Sequence, residues 1–153
     1  YRCPSAITEF DGKLDYGGLQ GTALTNLPLG FGADQAFGCG AIIVATSQQP
    51  QAVRFADIID GLSQTICVGE SVDRGSENSG RWACGRNCFT QLANRINTSG
   101  EGDLTSRHPQ GAHALFADGH VRLLSESIDS LALGAVCTRN GQEVVEGNVV
   151  SDP

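Results

Sequence analysis

Ser106-Arg107-His108-Pro109-Gln110-Gly111-Ala112-His113-Ala114-Leu115-Phe116-Ala117-Asp118-Gly119-His120-Val121-Arg122-Leu123-Leu124 reads as a β-hairpin. Two apolar-rich runs flank Asp118-Gly119, a pair that favours a two-residue type I′ turn. Both turn positions need φ > 0, which Gly adopts freely and Asp tolerates. With that loop, Ala117 faces His120, Phe116 faces Val121, Leu115 faces Arg122 and Ala114 faces Leu123. Ala114, Phe116, Val121 and Leu123 then make an apolar side turned to the core. His113, Leu115, Ala117, His120, Arg122 and Leu124 make a mixed side. A slip of one residue exchanges the two faces, so the pattern should pin the register.

Working outward, the chain of 153 residues has the length of one domain, taken as 1–153. Its 20 Gly point to a loop-rich, β-containing fold. The net charge of -7, with Lys13 the sole lysine, leaves no basic footprint for nucleic acid or an anionic membrane. No apolar run approaches the roughly 18 residues of a membrane span. There is no Met, so the chain is expected to be a processed product or a fragment, any targeting segment having lain upstream of Tyr1.

Upstream of the hairpin, residues 1–35 read as irregular, punctuated by Gly17-Gly18, Gly21 and Pro28, with Phe10 and Tyr16 as core anchors. Gly38 to Ala45 reads as a buried strand and Gln64 to Gly69 as another, with β-branched Thr65, Ile66 and Val68. Asp60-Gly61 marks a turn, Arg81-Trp82-Ala83 a short strand and Cys88 to Ile96 a short helix. Downstream, Ser127 to Thr138 carries apolar residues at 128, 131, 132, 135 and 136, the helical pattern, with Ser127 as N-cap. Glu143 to Val150 would add an edge strand.

Cys3, Cys39, Cys67, Cys84, Cys88 and Cys137 are even in number, which in an exported protein reads first as disulfides, ahead of buried thiols and of metal. Cys84–Cys88, Cys3–Cys39 and Cys67–Cys137 are the pairings considered. Cys84-x3-Cys88 is the only close pair, short of the four convergent ligands of a zinc site. His108 and Asp118 invite comparison with a catalytic pair, yet turn chemistry already accounts for Asp118. His113 and His120 share a face with Arg122 but stand too far apart for one ion and read as surface histidines. Asp57, Asp60, Glu70 and Asp73 are candidate Ca2+ oxygens without EF-hand spacing, so no cofactor is expected. Glu70 is expected to pair with an arginine such as Arg107 or with loop backbone. Neither a Gly-x-Ser-x-Gly elbow nor a phosphate loop is present, which argues against an enzyme.

His108, nine intervening residues and Asp118-Gly119 resemble the motif of the prepilin-type processing-associated H-X9-DG proteins, a bacterial family. Tyr1-Arg2-Cys3-Pro4-Ser5 resembles its Cys-Pro-Ser entry, and Asp15-Tyr16 to Gly21-Thr22 its Tyr-x-x-x-x-Gly-Thr segment. Asp57 to Glu70 is similar to its Asp-Gly-Thr-Ser-Asn-Thr strand ending in Gly-Glu. Arg81-Trp82-Ala83 and Ala132 to Val145 resemble its Trp strand and its terminal segment. Gln110, His113 and His120 depart from the family's Gly, Asn and Ser. The resemblance implies a β-rich α+β fold: a pilin-like antiparallel sheet with long loops and a C-terminal helix, without the family's leader and stem helix. It implies an exported, periplasmic or extracellular, non-enzymatic subunit packing with other protein chains in a filament or larger envelope complex. His108, Asp118, Gly119, Asp60, Gly61 and Glu70 are its motif residues. The alternative is a carbohydrate- or small-ligand-binding module using Trp82, Arg86 and Asn87.

Overall fold

Backbone pairing organises the described residues into five strands, with a short 3-10 turn at Phe55–Asp57 and one short α-helix. The computed structural model describes residues 2–7, 12–23, 38–44, 52–72, 74, 81, 87–92, 95–98 and 102–142. The strands are β1 (Tyr16–Thr22), β2 (Ile66–Glu70), β3 (Cys88–Gln91), β4 (Gly111–Phe116) and β5 (Val121–Ser125), followed by α1 (Ser130–Val136). They form one sheet in the order β3-β1-β2-β4-β5. The architecture is β-rich α+β. The sheet is mixed rather than wholly antiparallel, because β3 pairs with β1 in parallel.

The hairpin forms, but with a loop one residue longer than expected. Phe116 N–H bonds His120 O and Gly119 N–H bonds Phe116 O. That is a three-residue loop, Ala117-Asp118-Gly119, with only Gly119 at positive φ (94°). A type I turn followed by a left-handed glycine is the usual three-residue solution. Leu115 therefore pairs with Val121, Ala114 with Arg122 and His113 with Leu123. The shift turns β5 over. Leu124 is buried (1% exposed), while Val121 (61%) and Leu123 (41%) face out. The β4 half of the expected core face, Ala114 and Phe116, is correct; the β5 half is inverted.

The loop is long because its backbone is committed elsewhere. Ala117 N–H bonds Thr65 O and Asp118 N–H bonds Leu62 O. Asp118 also accepts from the backbone N–H of His120 and contacts its Nδ1, while the His120 ring stacks on Phe116 at 4.4 Å.

Behind the sheet, Leu19, Ile66, Phe89, Ala114, Phe116 and Leu124 meet Ile96, Leu104, Leu133, Val136 and Cys137 in one core. α1 is shorter than the expected Ser127–Thr138. Its N-cap is Asp129, whose carboxylate accepts from Leu131 N–H and Ala132 N–H; Ser127 instead bonds Ser125.

Three further expectations are corrected. Residues 16–22 are the strand β1, not irregular chain; Gly17 lets Arg74 close on it, since a Cβ there would meet Arg74 Nη1 at 2.8 Å. Cys88 to Gln91 is β3, not a helix, because backbone pairing with β1 outweighs a weak helical spacing. The strand expected from Gly38 to Ala45 is a series of turns and bends over the described residues 38–44. Its bonds to β1 run from Gly40 N–H to Gln20 O and from Ile42 N–H to Leu19 O, too few for a ladder.

Arg81 makes a single bridge with Lys13. Phe10, Trp82, Ala83, Cys84, Arg86, Asp73 and the span 143–150 lie outside the described residues. Cys3, Cys39, Cys67, Cys88 and Cys137 form no disulfide, so neither Cys3–Cys39 nor Cys67–Cys137 is joined. Complete burial, with Cys39 nearby, pushes the Cys137 thiol well above its ordinary range. No helix among the described residues is long and apolar enough to cross a membrane.

Candidate functional site

At the end of β2, three sequence-distant side chains converge on the outer face of the sheet. Cys3 enters from the N-terminal segment. Ala6 N–H bonds Cys3 O, closing a turn around Pro4-Ser5 in which Pro occupies its favoured second position. Cys3 N–H is held at 2.9 Å by Asp15 Oδ2, and Asp15 forms a buried ion pair with Lys13 at 2.9 Å.

Glu70 is the last residue of β2, and its side chain is fully buried. Oε2 accepts the His113 backbone N–H at 2.7 Å and lies 3.2 Å from His113 Nδ1. Oε1 lies 3.4 Å from His108 Nε2 and accepts from Tyr16 Oη at 3.5 Å. Burial by itself pushes the Glu70 carboxyl up. The His113 N–H, hydrogen bonds from Ser106 and Cys3 and the charge of His113 more than offset this, leaving it below its ordinary value. Glu70 was expected to pair with an arginine such as Arg107 or to bond loop backbone; it pairs instead with histidines 108 and 113 and accepts a backbone N–H from His113, on a strand and not a loop.

His108 stands at the entry turn to β4, where its N–H bonds Ser106 Oγ at 3.1 Å. Its Nε2 is 3.3 Å from Cys3 Sγ. The His108 and His113 rings meet edge to face at 5.0 Å. His113 therefore shares a site with His108, not with His120, and is not a bland surface residue. The burial and the nearby Glu70 charge push the Tyr16 phenol up to about 12, so Tyr16 remains a donor at neutral pH. Tyr16 belongs to this face rather than to the core.

Cys3 Sγ, Glu70 and His108 present ligand atoms within 4.8 Å of one another, the arrangement of metal ligands. It is not the arrangement of a nucleophile triad. In a triad the carboxylate orients the far nitrogen of the base. Here thiol and carboxylate both approach the same nitrogen, Nε2.

His108 and Asp118 do not meet. They flank opposite ends of β4: His108 holds the N-terminal segment, and Asp118 shapes the tip. Asp60 accepts from Gly141 N–H, Gln142 N–H and Thr138 Oγ1, stopping the chain after α1, with Gly61 next to it at φ 104°. Asp57 pairs with Arg54. Asp57, Asp60 and Glu70 thus serve three separate places and form no shared Ca2+ site. Of the possible ligand-binding residues, Asn87 donates from Nδ2 to Tyr16 O at 3.0 Å, which ties β3 to β1.

The model of a family described as Protein of unknown function (DUF1559), SBP_bac_10, matches residues 1–131. No curated protein and no solved structure matches the chain.

Proposed function

The chain belongs to the DUF1559 family, and from that premise we propose that it is an exported, pilin- or pseudopilin-like assembly subunit of the H-X9-DG type, without enzymatic activity. The observation that carries the reading is the outward face of the β4–β5 hairpin. Val121 (61% exposed) and Leu123 (41% exposed) project from β5, the terminal strand of the sheet among the described residues, beside half-buried Leu115. A terminal strand offers backbone groups for pairing, and native proteins usually protect it with charge. Two large aliphatic side chains there suit contact with another protein chain.

The test is photo-crosslinking from position 121 in the producing cell, compared with the double variant Val121→Lys, Leu123→Lys. The expected result is a protein–protein adduct from the parent and a free chain with an unchanged unfolding midpoint from the variant. An adduct that persists in the double variant, or none from the parent, removes the reading. The glycan-binding alternative gains no support from Asn87, whose side chain is engaged with β1.

A further inference from the structure

We propose that Cys3 Sγ, Glu70 Oε1 and His108 Nε2 form a divalent-metal site, and that Zn2+ is the cation it takes. The distances come first. Nε2 stands 3.3 Å from Sγ and 3.4 Å from Oε1. Zinc bonds of about 2.0–2.3 Å place tetrahedral neighbours roughly 3.3–3.6 Å apart, so these two separations already match, and Sγ and a Glu70 oxygen lie within 4.8 Å of each other. The donor set selects among cations. Ca2+ and Mg2+ take oxygen shells, and Cu(I) favours sulfur; one thiolate, one imidazole and one carboxylate together suit zinc. Three protein ligands leave the fourth tetrahedral position to water or to a donor from a partner.

The ligands are held before any metal arrives. Asp15 fixes the backbone of Cys3, Ser106 fixes that of His108, and His113 grips Glu70 Oε2 through both its N–H and its ring, aiming Oε1 at Nε2. Such outer contacts orient a metal's ligands and tune its affinity. The bound ion would tie the N-terminal segment to the end of β2 and to the entry of β4, joining positions 3, 70 and 108 by bonds that the protein lacks without it. Binding converts the Cys3 thiol to a thiolate and releases its proton to solvent.

The test is titration of the metal-stripped full chain with Co2+, followed by Zn2+. One equivalent of Co2+ should give the strong visible absorption of a tetrahedral site with a thiolate charge-transfer band, and Zn2+ should bleach both. Cys3→Ser should abolish the charge-transfer band, and His108→Gln should weaken binding by about 100-fold or more. His113→Gln should keep the band but weaken binding roughly 10–100-fold, as loss of an orienting contact does. Cys67→Ser should change nothing. Zn2+ should raise the unfolding midpoint of the parent and of Cys67→Ser but not of His108→Gln, a readout that survives misfolding of Cys3→Ser. Absence of one-equivalent binding, or a band that survives Cys3→Ser or vanishes with Cys67→Ser, overturns the proposal. The Val121→Lys, Leu123→Lys variant should bind metal as the parent does, so this site and the assembly face stand or fall separately.

Discussion

At the scale of residues, Glu70 and Tyr16 carry the pH dependence of the sheet's outer face. Burial, then the Glu70 charge, raises the Tyr16 phenol from 10.0 to about 12. A raised tyrosine supports the fold fully below pH 10, and that support is lost as pH rises through about 12. Glu70 behaves oppositely. Held below its ordinary 4.5, it contributes stability above that pH and loses it as pH falls through its folded value. The measurement is phenol absorbance against pH, with Tyr16→Phe identifying the signal. Its midpoint should lie near 12 and fall only part of the way back to 10.0 in Glu70→Gln, because burial is the larger cause. An unshifted midpoint in Glu70→Gln would separate the two groups. The same variant should cost about 1–3 kcal/mol, the range for disrupting a buried hydrogen-bonded group.

At the scale of elements, the hairpin's loop length decides which side of β5 is core. Leu124 lies against the core at 1% exposure, and Val121 is 61% exposed. Leu124→Ala should therefore destabilise by about 2–5 kcal/mol, the usual range for a buried aliphatic truncation. Val121→Ala should change stability by no more than about 0.5 kcal/mol. Urea midpoints of the two variants check this directly. A two-residue Asp118-Gly119 turn demands the reverse order, with Val121 the costly position. Gly119 serves either loop, since only its φ > 0 is local; whether Asp118 joins it there depends on what the tip touches.

At the scale of the whole molecule, Arg74 joins segments that no local pattern connects. It is 1% exposed and donates to Ser71 O, Leu14 O and Tyr16 O, while its guanidinium lies 5.9 Å from the centre of the Phe89 ring. Burial lowers its pKa, with Asp15 acting in the opposite direction. The side chain thus ties β1 and the chain after β2 to the aromatic residue of β3. Arg74→Met keeps much of the volume but removes the guanidinium donor from Ser71 O, Leu14 O and Tyr16 O, of which Tyr16 O retains Asn87 Nδ2, at a cost on the order of 3 kcal/mol. Global unfolding by circular dichroism should register this as one cooperative shift. Loss of only a local region, with the remaining transition unchanged, would show that Arg74 does not couple the strands.

The amino-acid sequence alone determined the elements whose signals are local: a hairpin around Asp118-Gly119, a strand expected over 64–69 and formed over Ile66–Glu70, a short helix before Arg139 and the β-rich class. These rest on turn chemistry and apolar periodicity, which operate over a few residues. The tertiary structure decided the rest. Thr65 and Leu62 carbonyls hold the hairpin tip, lengthening its loop and turning β5 over. Glycine-rich β1 and short β3 become strands because neighbouring backbones pair with them. Cys3, Glu70 and His108 could not be read as one site from spacing, because 67 and 38 positions separate them in sequence and only the folded sheet brings Sγ within 3.3 Å of Nε2. Sequence patterns report which neighbours a residue has along the chain; pairing, register and ligand convergence depend on neighbours that folding alone supplies.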